Sequence, residues 1–176
     1  VVGIDRDPKK VRDLNKGVPP LFEPGLTELM TKNLESKRLS YTTELNSALK
    51  GAKYVLITFD TPVDARDEVD LSEIFKTSAE LGKYLEDGSV GIVSSQVPVG
   101  TCEKIASVIA SQRPSLSFGV AYVPENLRLG QAIERFRHPE MIIIGSNSVA
   151  TQAKVEELLS VIQAPKMRMD LRTAEM

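Results

Sequence analysis

Cysteine and histidine are almost missing from this 176-residue chain, with one of each, Cys102 and His138, and tryptophan is absent altogether. A single cysteine excludes an internal disulfide and any multi-cysteine metal site. A single histidine leaves the common Cys/His metal centres without ligands, so no metal is expected. Neither sign of charge is in excess, because 22 basic residues nearly cancel 24 acidic ones. Without a basic field nothing recommends nucleic acid as a partner, and without a charge run nothing suggests a membrane surface or a disordered tail. No apolar run approaches the ~20 residues that a bilayer requires, and the first residues lack the order of a secretory signal. The expectation is a cytoplasmic globular domain, or most of a domain cut from a longer chain.

What is present is a strict alternation of short apolar runs and amphipathic stretches. Val1-Val2-Gly3-Ile4-Asp5 reads as a β run closed by a carboxylate, and the helical spacing of Val11 and Leu14 follows, ended by Asn15-Lys16-Gly17. Glu23-Pro24-Gly25-Leu26 restarts a helix with Leu26, Leu29, Met30 and Leu34 on its apolar face. A short strand near Leu39 to Thr42 and a small helix at Glu44 to Leu49 come next. Tyr54 to Phe59 is a near-continuous apolar run, the pattern of a strand buried on both faces of a parallel sheet. After a polar loop from Val63 to Asp70, a helix capped by Asp70 or Ser72 runs to about Leu85. Further strands are expected at Val90 to Ser95, Ser117 to Tyr122, Met141 to Gly145 and, weakly, Lys166 to Met169. Helices are expected from Cys102 to about Ser111 and from Val149 to Ile162.

Such alternation predicts an α/β fold with a doubly wound parallel sheet, Rossmann-like, joined by right-handed crossovers. Ligands of open α/β sheets lie outside the carboxyl ends of the strands, which is where Asp5, Asp60-Thr61, Ser95-Gln96 and Glu125 fall, so all four are expected along one rim. An acid at the end of the second strand of such a fold accepts hydrogen bonds from the adenosine ribose of a dinucleotide. If Asp5 is that acid, the phosphate-binding glycine loop belongs about 20 residues upstream. The sheet is therefore expected to be incomplete at the N-terminus. A gap or a substitute strand is expected where the first strand would lie, with no direct pairing of Val1 to Asp5 with Tyr54 to Phe59.

Five blocks in order resemble the nucleotide-sugar 6-dehydrogenases, the family of UDP-glucose and UDP-N-acetylmannosamine dehydrogenases. They are Val2 to Asp5 with Leu14-Asn15-Lys16-Gly17; Glu23-Pro24-Gly25-Leu26; Thr61-Pro62 followed by Asp70-Leu71-Ser72; Ser95 with Val97-Pro98-Val99-Gly100-Thr101; and Pro124-Glu125, Leu127-Arg128, Gly130 and Ala132 followed by Pro139 and Gly145. The resemblance implies an NAD-dependent oxidoreductase that turns the C6 hydroxymethyl of a UDP-sugar into a carboxylate, a homodimer in full-length form, working in polysaccharide biosynthesis. It implies that Asp5 and Lys10 hold the adenosine ribose, that Thr61 and Ser95 lie beside the cofactor, that Glu125 assists water or proton transfer, and that Leu127 and Arg128 line the sugar side. Residues 1–172 would be the NAD-binding domain, in part. Residues 173–176 would begin a linking helix, with the family's catalytic cysteine and lysine beyond it.

The chain also departs from the family pattern. Asp60, Gln96, Asn126 and Leu129 stand where the family has Gly, Thr, Phe and an acid, and leucine cannot move a proton. These departures keep a second reading open, a non-catalytic nucleotide-binding remnant or regulatory module. Individual residues have plainer readings too. Asp5 would favour the dipole of the helix after it, and Lys10 would be a solvated charge. Thr61 and Ser95 would close turns, and Glu125 would cap a short helix at Leu127 to Ile133. Cys102 follows Gly100-Thr101 at a helix start, a position that can lower a thiol pKa, yet packing as a small apolar residue is the expectation there. A surface position is expected for His138.

Overall fold

The structure is a computed structural model that describes residues 1–63, 65–66 and 68–176. It divides into two compact units, Val1–Lys50 with Asn126–Arg137, and Gly51–Glu125 with His138–Met176. Asp64 and Asp67, in the loop expected over Val63 to Asp70, lie outside the described residues.

In the first unit, β1 (Val2–Ile4) pairs in parallel with β2 (Ser40–Thr42), in register Val2 with Ser40 through Ile4 with Thr42. Between them come α1 (Pro8–Asn15) and α2 (Leu26–Glu35), and α3 (Leu45–Leu49) follows. Helix α1 starts where Asp7 accepts the amide of Lys9 at 2.8 Å, with Pro8 at a position that needs no donor. It buries Val11 and Leu14 and stops as expected at Asn15, because Gly17 takes the left-handed conformation at φ 77°. Asn15 does more than end the helix. Its side-chain amide donates to the Tyr41 carbonyl at 2.8 Å and accepts from the Tyr41 amide at 2.9 Å, so it acts on β2 as one more strand residue would.

The second unit is built on a five-stranded sheet in the order β3 (Tyr54–Ile57), β4 (Val90–Val93), β5 (Gly119–Tyr122), β6 (Ile142–Gly145), β7 (Lys166–Met169). Helices α4 (Ser72–Tyr84), α5 (Thr101–Gln112), α7 (Val149–Leu158) and α8 (Leu171–Glu175) belong with it, while α6 (Ala132–Arg137) falls in the first unit. Val90, Ile92, Ala121, Ile142, Ile144, Val155 and Ile162 form its apolar core, in which alternate residues of β4 and of β6 meet Val155 of α7. Asp70 accepts the Ser72 amide at 2.8 Å at the start of α4, whose Ile74 and Leu81 are buried.

Three expectations need correction. β3 is not buried on both faces: it lies at the edge of the five-stranded sheet, and Leu56 is 56% exposed. Apolar composition records what a strand could bury, whereas position in the sheet sets what it does bury. The sheet is not wholly parallel either, since β5 and β6 meet antiparallel at the pair Tyr122 and Gly145, although β3–β4–β5 and β6–β7 are each parallel. A parallel return needs a crossover helix laid on the sheet. The segment from β5 to β6 carries only α6, which buries none of its residues. Lastly, the short helix expected at Leu127 to Ile133 begins at Ala132, so Glu125 does not cap it. Among the described strands β1 pairs with β2.

The contrast between edge and centre gives a measurable consequence. In the 176-residue chain Ile144→Ala removes a side chain with no exposed surface and is expected to cost about 2–5 kcal/mol in chemical denaturation. Leu56→Ala at the sheet edge is expected to cost less than about 1 kcal/mol.

Candidate functional site

Asp5 follows β1 directly, and its environment is built by the first turn of α1. One carboxylate oxygen accepts the Asp7 amide at 3.0 Å, and the other meets the Lys10 ammonium at 2.5 Å. Burial pushes the Asp5 carboxyl up, but the Lys10 hydrogen bond, the Asp7 amide and the Lys10 charge together outweigh it and hold the group below its ordinary value. An ionised carboxylate has about four lone-pair positions, so these two contacts leave acceptor capacity for vicinal hydroxyls. Along α1 lies a hollow of about 220 Å³ lined by Lys9, Lys10, Asp13, Val18, Pro19 and Pro20, among others. The structure thus brings Asp5 and Lys10 together.

Thr61 and Ser95 follow β3 and β4 in the second unit. Thr61 Oγ1 donates to the Gln96 carbonyl at 2.8 Å, a tie between two neighbouring loops that leaves its lone pairs free to accept. Ser95 is 6% exposed, and its hydroxyl has no hydrogen-bond partner among the described residues. A buried hydroxyl without a partner is costly, so its donor capacity is available to a ligand.

Glu125 lies in the second unit, exposed, in the loop after β5, and Leu127 and Arg128 follow it in the first unit. The backbone of that loop is held by a residue the sequence marks only as part of a motif. Glu23, 6% exposed, accepts the amide of Gly130 at 2.6 Å with one carboxylate oxygen and that of Ala132 at 2.8 Å with the other. Glu175, beyond the reach of any local pattern, does the same for Gly100 and Cys102 at 2.6 and 2.7 Å. An acid just ahead of Pro24-Gly25 is the one local hint of the first. The second has none.

Cys102 is fully buried, and burial, then the hydrogen bond and charge of Glu175, then the charge of Glu103, push its thiol far above the ordinary value. It packs as a small apolar residue, as expected, and His138 is exposed. Among the described residues no group of three or more His, Cys, Asp or Glu could hold a metal ion, and no helix is long and apolar enough to cross a membrane.

Two outcomes follow. In NMR titration the Asp5 carboxyl should have its midpoint below the ordinary ~3.9, and Lys10→Met should raise it, since burial then acts with less opposition. The sign for stability follows: the contribution of Asp5 is present above the unfolded-state value and is lost as pH falls through the lowered native one. Cys102 should not react with a thiol reagent at pH 8 in the native state, and should react fully in denaturant.

The model of the UDP-glucose/GDP-mannose dehydrogenase family, NAD binding domain, matches residues 1–163. The UDP-glucose 6-dehydrogenase TuaD of Bacillus subtilis is 36% identical over 177 residues, an alignment that takes in all of this chain and 38% of the relative. Among solved structures, a UDP-glucose dehydrogenase from the archaeon Pyrobaculum islandicum superposes with a TM-score of 0.94 at 32% identity, over 99% of this chain and 41% of that one. A GDP-mannose dehydrogenase from Pseudomonas aeruginosa gives 0.94 at 30% identity, over 100% and 42%. The chain therefore spans about two fifths of the length of its relatives. With nearly its whole length matched, and with the α/β architecture of these dehydrogenases, it belongs to the UDP-glucose/GDP-mannose dehydrogenase family and represents that family's NAD-binding domain.

Proposed function

We propose that this chain is the NAD-binding portion of a UDP-sugar 6-dehydrogenase, which oxidises the C6 hydroxymethyl of a UDP-sugar, UDP-glucose or a related one, to a carboxylate. The observation that carries the reading is the Asp5 carboxylate at the end of β1, held by Lys10 and the Asp7 amide with acceptor capacity to spare. NAD, when bound, supplies the hydride acceptor. Asp5 accepts hydrogen bonds from the hydroxyls of the adenosine ribose, and Lys10 keeps the carboxylate ionised and oriented. A negative charge at this point also repels the 2′-phosphate of NADP, so NAD is the preferred form. Thr61 and Ser95 offer hydroxyl contacts to the cofactor, with Ser95 as the better placed donor because its proton is otherwise unbonded.

Glu125 is the acid/base group toward the substrate. Its exposure gives it access to water, and a carboxylate can hold or release the proton of the reacting hydroxyl. Leu127 and Arg128 line the sugar side. Residues 1–172 form the larger part of the NAD-binding domain and residues 173–176 belong to the start of a linking helix, whose described first residue is Leu171. The exposed face of Leu56 at the edge of β3 supports a further strand of this domain there. The reading also carries a cytoplasmic location, where NAD and nucleotide sugars are drawn on for polysaccharide biosynthesis, and a homodimer.

Leu129, 72% exposed where the resemblance calls for an acid, favours the second reading, a nucleotide-binding module without turnover. One experiment separates the two. The full-length protein is incubated with NAD and a panel of UDP-sugars while NADH absorbance is followed, and calorimetry measures NAD binding. Turnover with one UDP-sugar, together with NAD affinity reduced at least about tenfold by Asp5→Ala, is the expected result. NAD binding without turnover on any sugar selects the module, and binding unchanged by Asp5→Ala removes that residue from the cofactor site.

A further inference from the structure

We propose that Glu175 is a positioning residue for the cofactor-facing loop between β4 and α5, acting from α8 through the backbone amides of Gly100 and Cys102. The proposal rests on the reading of Ser95 as a cofactor residue given above. Helix α5 has twelve residues, and its N-cap is Gly100, which brings no side-chain acceptor to the open amides of the first turn. Those amides cannot be left without acceptors inside the protein. Glu175 supplies both oxygens, at 2.6 Å to Gly100 and 2.7 Å to Cys102, from 73 residues further along the chain than Cys102. Only 9% of the residue is exposed, so water competes little for these bonds.

The loop is thereby pinned at two places. Thr61 Oγ1 holds the Gln96 carbonyl at 2.8 Å, and Glu175 holds Gly100. Beside the first pin sits the buried, unpartnered hydroxyl of Ser95. A donor that must meet a ligand in one place is useful only when its backbone cannot drift, and pins on either side of Gln96 to Gly100 remove that freedom. Helix α8 is anchored well enough to act as the fixed end. Asp170 accepts the Thr173 amide at 3.0 Å, and Ala174 packs so closely on Gly145 that a Cβ added there would collide with its own.

A purely structural role for Glu175 would be to dock α8, and Arg172 provides the comparison, because it ties the same helix to α5 without touching the loop. The test uses the full-length protein, NAD as the probe, calorimetry for affinity and steady-state kinetics with the UDP-sugar it turns over. Glu175→Gln keeps length and one acceptor oxygen but sets an amide group against a backbone N–H. It is expected to raise both the Kd and the KM for NAD about tenfold, with kcat within about twofold of the parent. Arg172→Ala is expected to lower Tm and leave the NAD Kd within about twofold. In the parent protein, needing no variant, NAD should slow hydrogen exchange at Gly100 and Cys102 at least about fivefold. An NAD Kd unchanged by Glu175→Gln while Ser95→Ala weakens binding overturns the positioning role and leaves the cofactor reading intact. If Ser95→Ala has no effect either, the cofactor reading of this loop fails and the present inference fails with it. Exchange at Gly100 and Cys102 indifferent to NAD overturns the inference even if Glu175→Gln does not fold.

Discussion

A backbone amide at the start of a helix has no partner inside the helix, and in this protein two such starts are closed by glutamates from remote parts of the chain. Glu23 closes the start of α6, and Glu175 closes the start of α5. Each carboxylate divides its two oxygens between two amides, and each is nearly removed from solvent. An ionised acceptor in such surroundings binds its donors more strongly than a neutral one does. The loops held in this way are those that carry the candidate cofactor and substrate residues. Ser95 lies ahead of the amides bound by Glu175, and Leu127 and Arg128 lie ahead of those bound by Glu23. Loops need such external support, because their own backbone offers no regular hydrogen-bond ladder.

Asp5 shows the complementary arrangement, in which a candidate ligand-binding carboxylate is itself organised by local structure. The turn from β1 into α1 brings the Asp7 amide and the Lys10 ammonium to it within a few residues. Local geometry of this kind recurs wherever the same strand, turn and helix are written in sequence. Asp5 is therefore legible as an acid that closes a β run, whereas Lys10 enters only through the family pattern. The doubly wound architecture is legible for a similar reason, since period-two and helical patterns are local properties of the chain. Asn15 and Gly17 belong to the same class, although that the Asn15 amide completes the hydrogen bonding of Tyr41 can be seen only once β2 is in place.

What escapes the sequence is all non-local. Composition does not say that β3 stands at an edge, because apolar residues of an edge strand and of a central strand are drawn from the same set. Nor does alternation reveal the antiparallel meeting of β5 and β6, because the spacing of apolar residues carries no record of strand direction. The plainer reading of Glu125, beside its assignment to water or proton transfer, is a helix cap, because an acid ahead of a helical pattern often is one. The helix starts at Ala132 instead, and the capping acid comes from 109 residues away.

The order of residues thus settled the class of fold and the family, since both follow from patterns a few residues long. Folding in three dimensions settled which carboxylates have both oxygens taken by backbone amides and which keep acceptor capacity. Asp5, Glu23 and Glu175 are the same kind of group in the sequence. A carboxylate whose oxygens are both taken by buried amides has become part of the framework, and one with lone pairs still open can serve a ligand. That difference depends on what long-range packing places within about 3 Å of each oxygen, and no local pattern of residues encodes it.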